Sequence, residues 1–373
     1  MSEARRRPAR ALSAAGALRV LIVKLSSLGD VVHALPVVAD IRAAYPRARI
    51  DWVVEPAFAP LLQRVAGIAE VIECPLRRWT RAGLWRPAIV AEMRAFAGRL
   101  RRERYEAIVD LQGLTKSALI ARLARGPSFG LANRTDGASH EAPARWLVTT
   151  AIRVEPHSHA LDRSRELVAA ALGTRDDGAP SFGLVAREVG ADAGADAGAA
   201  LVGAAAAASS AGDRPRIVVL IHGTSRADKL WPETSWIELG RRLADEGWTV
   251  ALPQSGSEEG RRARRLAAAI GGECTVWPAL ELGAFIDRLA ATGGAIGVDS
   301  GPSHIAVALG LPHVQLYNFP TAWRTGPQPR HGAGLQVAVE GDPVPTVAAV
   351  WAAWKGVQGA ARLAALRPAP RAS

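Results

Sequence analysis

The sequence predicts an α/β protein of two doubly wound αβα domains, and three observations lead there. The chain has 373 residues, more than one domain usually holds. Short apolar runs of four to six residues alternate with longer amphipathic stretches, the rhythm of parallel strands crossing over through helices. That rhythm stops once, in a stretch of small residues, and then restarts.

The elements follow in order. Residues 1–17 carry Arg5, Arg6, Arg7 and Arg10 among alanines without apolar periodicity, and are expected to form a disordered basic tail. The run Leu18–Val23 predicts a buried strand, and a helix is expected to begin at Asp30. Ile50–Val54 and Val71–Ile72 predict the next strands, a long helix is expected over 88–103, and Ala107–Leu111 predicts a further buried strand. The first domain is thus placed at 18–173. Residues 174–213, with the repeat Gly190-Ala-Asp-Ala-Gly-Ala-Asp-Ala-Gly198, have little to bury and predict a low-complexity linker or insert. The second domain, 214–345, takes up the rhythm with strands at Ile217–Ile221, Thr249–Leu252 and Ala295–Val298. Its helices are expected over 235–246, over 258–270 and from Ser303. Residues 346–373 close the chain as an amphipathic helix, 347–366, able to pack on either domain, and a tail.

Composition narrows the class. With 49% hydrophobic and 22% charged residues the chain can bury a sizeable core. No run approaches the roughly 20 apolar residues of a membrane span, and the N-terminus lacks the apolar core of a secretion signal, so a cytoplasmic location is expected. Cys74 and Cys274 stand alone, without metal-ligand spacing. A net charge of +11 points to an anionic partner, although arginine in an Ala/Arg-rich composition can also reflect a GC-rich genome.

Ligands of open parallel sheets bind where strand ends meet helix starts, so three segments carry the chemistry. After the first strand comes Lys24-Leu-Ser-Ser-Leu-Gly-Asp30. Asp30 there reads either as a helix cap or as a general base, and a helix N-terminus lowers the basicity of a carboxylate. In His222-Gly-Thr-Ser-Arg-Ala-Asp-Lys229, hydroxyls beside a glycine and a following cation suit a phosphate, or else form a solvated loop. In Asp299-Ser-Gly-Pro-Ser-His304, a glycine opens helix N-terminal amides to an anion and Asp299 can accept from sugar hydroxyls; the alternative is a capped turn. Arg77-Arg78-Trp79 is a basic–aromatic cluster assigned to a loop, and Gln112-Gly-Leu-Thr-Lys116 follows the 107–111 strand. There is no Asp-x-Asp pair to suggest a divalent metal on a nucleotide diphosphate, and no P-loop, GxSxG or GxGxxG.

Together, Lys24-Leu-Ser-Ser-Leu-Gly-Asp30-Val-Val-His33-Ala-Leu-Pro36, His222-Gly-Thr-Ser-Arg-Ala-Asp-Lys229-Leu-Trp231-Pro232 and Asp299-Ser-Gly-Pro-Ser-His304 resemble the ADP-heptose:lipopolysaccharide heptosyltransferases, glycosyltransferase family 9, over residues 18–330. Asp51-Trp-Val-Val-Glu55, Arg77-Arg78-Trp79 and Asp110-Leu-Gln-Gly-Leu-Thr-Lys-Ser117 are closer to the heptosyltransferase I branch than to branch II. The resemblance implies a GT-B fold, two Rossmann-like domains facing across a cleft. It implies inverting, metal-independent transfer of L-glycero-D-manno-heptose from ADP-heptose to the inner Kdo of Kdo2-lipid A, with no cofactor. The enzyme would sit peripherally on the cytoplasmic face of the inner membrane.

By the same resemblance Asp30 is the catalytic base and Lys229 neutralises the leaving diphosphate. Thr224 and Ser225 contact phosphate, Glu259 the ribose and Leu280, where the family has methionine, the adenine. Asp299, Ser300, Gly301 and His304 contact the donor's sugar and phosphate. Ser26, Ser27, Arg77 and Arg78 face the acceptor. The rival readings are a branch II enzyme with another inner-core acceptor, a nucleotide-sugar epimerase, and a non-catalytic nucleotide binder. The missing GxGxxG and Tyr-x-x-x-Lys weigh against the epimerase. Nucleic acid is not expected as a partner.

Overall fold

A computed structural model describes residues 18–175, 177–187, 214–328 and 334–365. The chain divides into two compact units, Met1–Gly183 and Leu184–Ser373. The basic tail at 1–17 and residues 188–213 of the expected linker lie outside the described residues.

The first unit holds β1 (Arg19–Val23), β2 (Arg49–Val54), β3 (Ile68–Glu73), β4 (Ala107–Asp110), β5 (Ser128–Leu131) and β6 (Thr150–Ile152). They form one sheet in the order β3-β2-β1-β4-β5-β6, every pair parallel. The second unit repeats this with β7 (Ile217–Ile221), β8 (Thr249–Leu252), β9 (Cys274–Val276), β10 (Gly294–Val298), β11 (His313–Tyr317) and β12 (Gln336–Glu340). Its order is β12-β11-β10-β7-β8-β9, the same arrangement read from the other edge. Both are therefore doubly wound sheets whose strand order reverses beside the first strand, between β1 and β4 and between β7 and β10.

The central strands read as continuous apolar runs because both faces are covered. In unit one, Leu21, Val23, Val53, Ile72 and Ile108 pack against Trp79, Phe96, Leu100 and Ile120 from helices on one face. In unit two, Trp236, Trp248 and Trp354 are buried around Val218, Leu220, Ile296 and Val314. Trp248 and Trp354 meet edge to face at 5.3 Å. Trp354 comes from the C-terminal helix Val347–Ala365, which packs on the second unit, against β11, β12 and the helix Glu233–Asp245.

Three local readings are corrected. The Arg77-Arg78-Trp79 cluster lies on a helix, Leu76–Ala82, because Trp79 is drawn into the core against Phe96 at 5.6 Å. The helix expected at Asp30 begins at Leu28 and is interrupted at Leu35, where Pro36 opens a second helix, Pro36–Ala44. Residues 177–183, read as the start of the linker, run along unit one. Arg165, buried in a two-pronged ion pair with Asp40 (2.7 and 2.9 Å), also donates to the Gly178 carbonyl at 2.8 Å, and Ala66 N donates to the Gly183 carbonyl.

Candidate functional site

The loops nominated by the sequence are the ones that leave the two switch points. In unit one, the loops after β1 and β4 hold each other. The buried Lys24 ammonium donates to the Leu111 carbonyl at 3.1 Å, and Gln112 Oε1 accepts from Leu25 N (3.1 Å) and Ser26 N (3.2 Å). Ser27 occupies the cap position of the Leu28–Ala34 helix. Asp30, in its first turn, reaches back to accept from Ser27 N (3.1 Å) and Ser27 Oγ (2.7 Å). Asp30 is thus not the cap but the carboxylate paired with it.

Burial alone would raise the Asp30 pKa. The Lys24 charge, the two Ser27 hydrogen bonds and the Arg163 charge outweigh it and hold Asp30 down to about 2. Behind it, burial lowers the pKa of Lys24 against the attraction of Asp30. Asp110, at the end of β4, is pushed up to about 6 by burial, although its oxygens accept from Gln112 N (2.9 Å), Gly113 N (3.4 Å) and Ser117 Oγ (3.0 Å). Two aspartates at neighbouring strand ends are thereby pushed in opposite directions.

Beyond β3, Glu55, Pro56, Ala57, Pro75, Arg77, Arg78, Arg81 and Ala82 line an open groove of about 610 Å3. Glu55 Oε1 accepts from Arg77 N at 3.0 Å and so anchors the start of the arginine helix. Arg78 is engaged by Glu92 through both guanidinium branches, whereas the Arg77 guanidinium lies 5.9 Å from the Phe58 ring centre. Arg81, one helical turn after Arg77, lines the same groove. Sequence reasoning missed it because i,i+4 spacing has meaning only once the segment is known to be helical.

In unit two, Asp299 is the first residue after β10 and is nearly inaccessible to solvent. Its Oδ2 lies 2.5 Å from Lys229 Nζ and its Oδ1 3.2 Å from His304 Nε2. Burial would raise its pKa, but His304 and Lys229 together hold it well below the usual carboxylate range. Thr224 Oγ1 donates to the Asp299 carbonyl at 3.2 Å, so the loops after β7 and β10 touch. Ser300 stands at the cap of the helix Gly301–Ala308, and Ser225 is exposed in the loop after β7. The half-buried Lys229 is set by its main chain: Asn318, just past β11, donates to the Asp228 (2.9 Å) and Leu230 (3.0 Å) carbonyls on either side of it. Trp231 Nε1 donates to the Pro345 carbonyl at 2.8 Å, pinning the far end of the loop.

Glu259 joins this group. Its Oε2 accepts from Ser255 N (2.7 Å) and Ser255 Oγ (2.6 Å), and its Oε1 fills the space beside Gly223, where a Cβ would come within 1.7 Å. Gln254 Nε2 donates to the Trp277 carbonyl at 2.8 Å, tying the Glu259 loop to the segment that carries half-buried Leu280. Within unit two, Thr224, Lys229, Asp299 and His304 are joined through Asp299, and Glu259 lies against the loop that bears Thr224. In unit one, Ser26 and Ser27 lie in the loop after β1 and Asp30 in the first helical turn that follows it, while Arg77 and Arg78 line the groove beyond β3. Asn318 escaped the sequence reading because a lone asparagine after an apolar strand has no signature.

The arrangement in unit two presents a cation, hydroxyls and a helix N-terminus to a phosphate, beside carboxylates suited to sugar hydroxyls. The model of glycosyltransferase family 9 (heptosyltransferase) matches residues 93–339. Lipopolysaccharide heptosyltransferase 1 of Escherichia coli K12 is 36% identical over 301 residues, 80% of this chain and 88% of the relative. Lipopolysaccharide heptosyltransferase 2 of the same strain is 25% identical over 320 residues, covering 80% and 82%. The solved structure of E. coli heptosyltransferase WaaC with ADP superposes with a TM-score of 0.75 at 31% identity, covering 92% of this chain and 100% of that one. The structure with ADP-2-deoxy-2-fluoro heptose gives 0.73 at 32%, covering 90% and 98%.

Proposed function

This chain belongs to glycosyltransferase family 9, a heptosyltransferase of GT-B fold, and on that footing we propose that it transfers L-glycero-D-manno-heptose from ADP-heptose to the inner Kdo of Kdo2-lipid A, with inversion and without a metal. The observation that carries this reading is the placement of Asp30 and of the Lys229–Asp299 pair on the switch-point loops of their respective units. Higher identity to heptosyltransferase 1 than to heptosyltransferase 2 favours the Kdo acceptor over an already heptosylated one.

In the proposed reaction unit two holds the donor. Lys229, the hydroxyls of Thr224 and Ser225 and the amides at Gly301 take the diphosphate, with Ser300 and His304 beside them. Asp299 meets the heptose, Glu259 the ribose, and Leu280 the adenine. Unit one holds the acceptor, with Arg77 and Arg78 facing its anionic groups and Ser26 and Ser27 beside its hydroxyl. A Kdo oxygen forms a bond to the anomeric carbon while the bond to the ADP oxygen breaks. The hydroxyl proton passes to Asp30, and the pair of electrons leaves on ADP.

A carboxylate held near 2 is a weak base toward a ground-state alcohol. As the new bond forms, the hydroxyl becomes strongly acidic, so a late proton transfer to a weak base suffices. The carboxylates of a bound Kdo also raise Asp30 by like-charge repulsion. Lys229 and the helix amides act on charge that develops on the leaving group, where such groups are worth about 10²–10³ in rate.

Because the acceptor is a glycolipid, the enzyme works peripherally at the cytoplasmic face of the inner membrane; among the described residues no helix is long and apolar enough to cross one. The test is ADP release from ADP-heptose and Kdo2-lipid A in EDTA. Release that needs the acceptor, and is lost in Asp30→Ala with ADP binding intact, is the expected result. No release from the wild type, or release only with a heptosylated acceptor, would overturn the assignment.

A further inference from the structure

Helix Leu76–Ala82 ends at Gly83, whose φ of 98° suits a residue without a side chain. Arg86 N donates to the Gly83 carbonyl at 3.2 Å and closes a four-residue turn before the next helix, Pro87–Leu100. The two residues at the tip are Leu84, 42% exposed, and Trp85, 84% exposed, the most exposed large apolar side chain among the described residues. An indole left almost wholly in water is unusual on a protein that buries Trp52, Trp236 and Trp354 completely.

The surroundings of the tip are basic. Arg77, Arg78 and Arg81 precede it on the helix and Arg86 follows it, all exposed. Arg78 is paired with Glu92, but Arg81 and Arg86 form no ion pair among the described residues. An apolar tip flanked along the chain by four exposed arginines is complementary to an anionic bilayer. Tryptophan and leucine enter the headgroup–acyl boundary, and arginines meet lipid phosphates while their stems cover apolar surface. A pocket on a protein partner would engage the indole but give the flanking arginines no role, whereas lipid phosphates engage them as well.

We propose that the Leu84–Trp85 turn is an interfacial anchor that docks the first unit on an anionic lipid surface, next to the arginine groove. Arg81 and Ala82, two to three residues before the tip, line that groove. Insertion of the tip sets the groove mouth at headgroup level, where the sugar of a membrane glycolipid emerges. This rests on the reading of the acceptor as a membrane glycolipid, but the docking itself does not require transfer to occur.

The experiment uses the full chain and vesicles of phosphatidylethanolamine and phosphatidylglycerol without acceptor. The double variant Leu84→Ser/Trp85→Ser is expected to lose about tenfold or more in vesicle affinity. On vesicle-embedded Kdo2-lipid A its kcat/KM falls by a similar factor, while on a deacylated, water-soluble acceptor it is unchanged. The soluble-acceptor assay also shows that the variant is folded. A second exposed indole, Trp146 at 69% exposure with Arg145 stacked at 4.8 Å, serves as the control. Vesicle binding that is absent in the wild type, survives in the double variant, or is lost only in Trp146→Ser overturns the proposal. An equal loss on both acceptors also overturns it, by making the turn part of the acceptor site. Vesicle binding that depends on the turn in a protein with no transfer activity sustains the anchor and defeats the proposed reaction instead.

Discussion

The ammonium of Lys229 lies 2.5 Å from Oδ2 of Asp299. This contact places the cation expected to meet a diphosphate against the carboxylate expected to meet a sugar, so the donor must draw Lys229 toward its phosphates when it binds. Asp299→Asn releases Lys229 and removes a negative charge near the diphosphate. Its affinity for ADP is expected to equal or exceed that of the wild type, while heptose transfer falls about 10²-fold. Lys229→Ala is expected to weaken ADP about tenfold and to lower kcat by 10²–10³. Calorimetric titration with ADP beside initial rates separates the two; weaker ADP binding in Asp299→Asn would count against this division of roles.

Gly223 leaves room for Glu259, whose Oε1 would stand 1.7 Å from an added Cβ. The obstructing atom is the end of a flexible side chain, so Gly223→Ala is expected to displace the carboxylate rather than unfold the unit. KM for ADP-heptose should rise about tenfold with the thermal midpoint nearly unchanged. Glu259→Ala should give a similar rise, and the double variant no further one, because both remove the same contact. Additive effects would show that Gly223 and Glu259 act separately.

The extent to which fold and site were legible follows from where the signal resides. β1, β2, β4, β7, β8 and β10 are apolar runs buried on both faces and announce themselves. β9, β11 and β12 are short or carry polar residues such as His313, Gln315 and Gln336, and only their neighbours make them strands. Asp30, Lys229 and Asp299 stand in the segments that follow predictable strands. What supports them does not: Gln112 and Asn318 act on main-chain atoms 86 or more positions away. Local spacing holds no trace of such contacts, and the helix carrying Arg77 and Arg81 was hidden because Trp79 forms it by tertiary packing.

Gln112 is one of these supports, a positioning residue for the loop that bears Asp30. Its single carbonyl oxygen accepts from two consecutive amides, Leu25 N and Ser26 N. Gln112→Ala leaves both amides without that acceptor and frees the loop. With misplacements of about 1 Å costing up to 10²-fold, kcat is expected to fall 10–100-fold with KM for ADP-heptose unchanged. Gln112→Glu keeps an acceptor and should recover most of the rate. A shift in donor KM, or no recovery in the glutamate variant, would refute a purely positional role.

Asp110 gives the pH dependence. An unfolded aspartate titrates near 3.9, whereas Asp110 in the fold is pushed up to about 6 by burial. A carboxyl group raised in the folded state contributes stability that is complete below its unfolded value and is lost as pH climbs through the folded value. Asp110 therefore stabilises unit one near pH 4 and has lost that contribution above pH 6, a difference on the order of 3 kcal/mol for a shift of about two pH units. Asp30 and Asp299, both lowered, act in the opposite sense, contributing stability above pH 4 that disappears as pH falls through their folded values. In Asp110→Asn the amide oxygen still accepts from Gln112 N and Gly113 N, the other side of the amide meets Ser117, and no charge is buried. Urea unfolding followed from pH 4 to 7.5 should find the variant no more stable than wild type at pH 4 and progressively more stable toward pH 7. The gain is expected to grow between pH 4 and 6 and then level off. A difference between the two proteins that does not change with pH would mean that Asp110 is not titrating in that window.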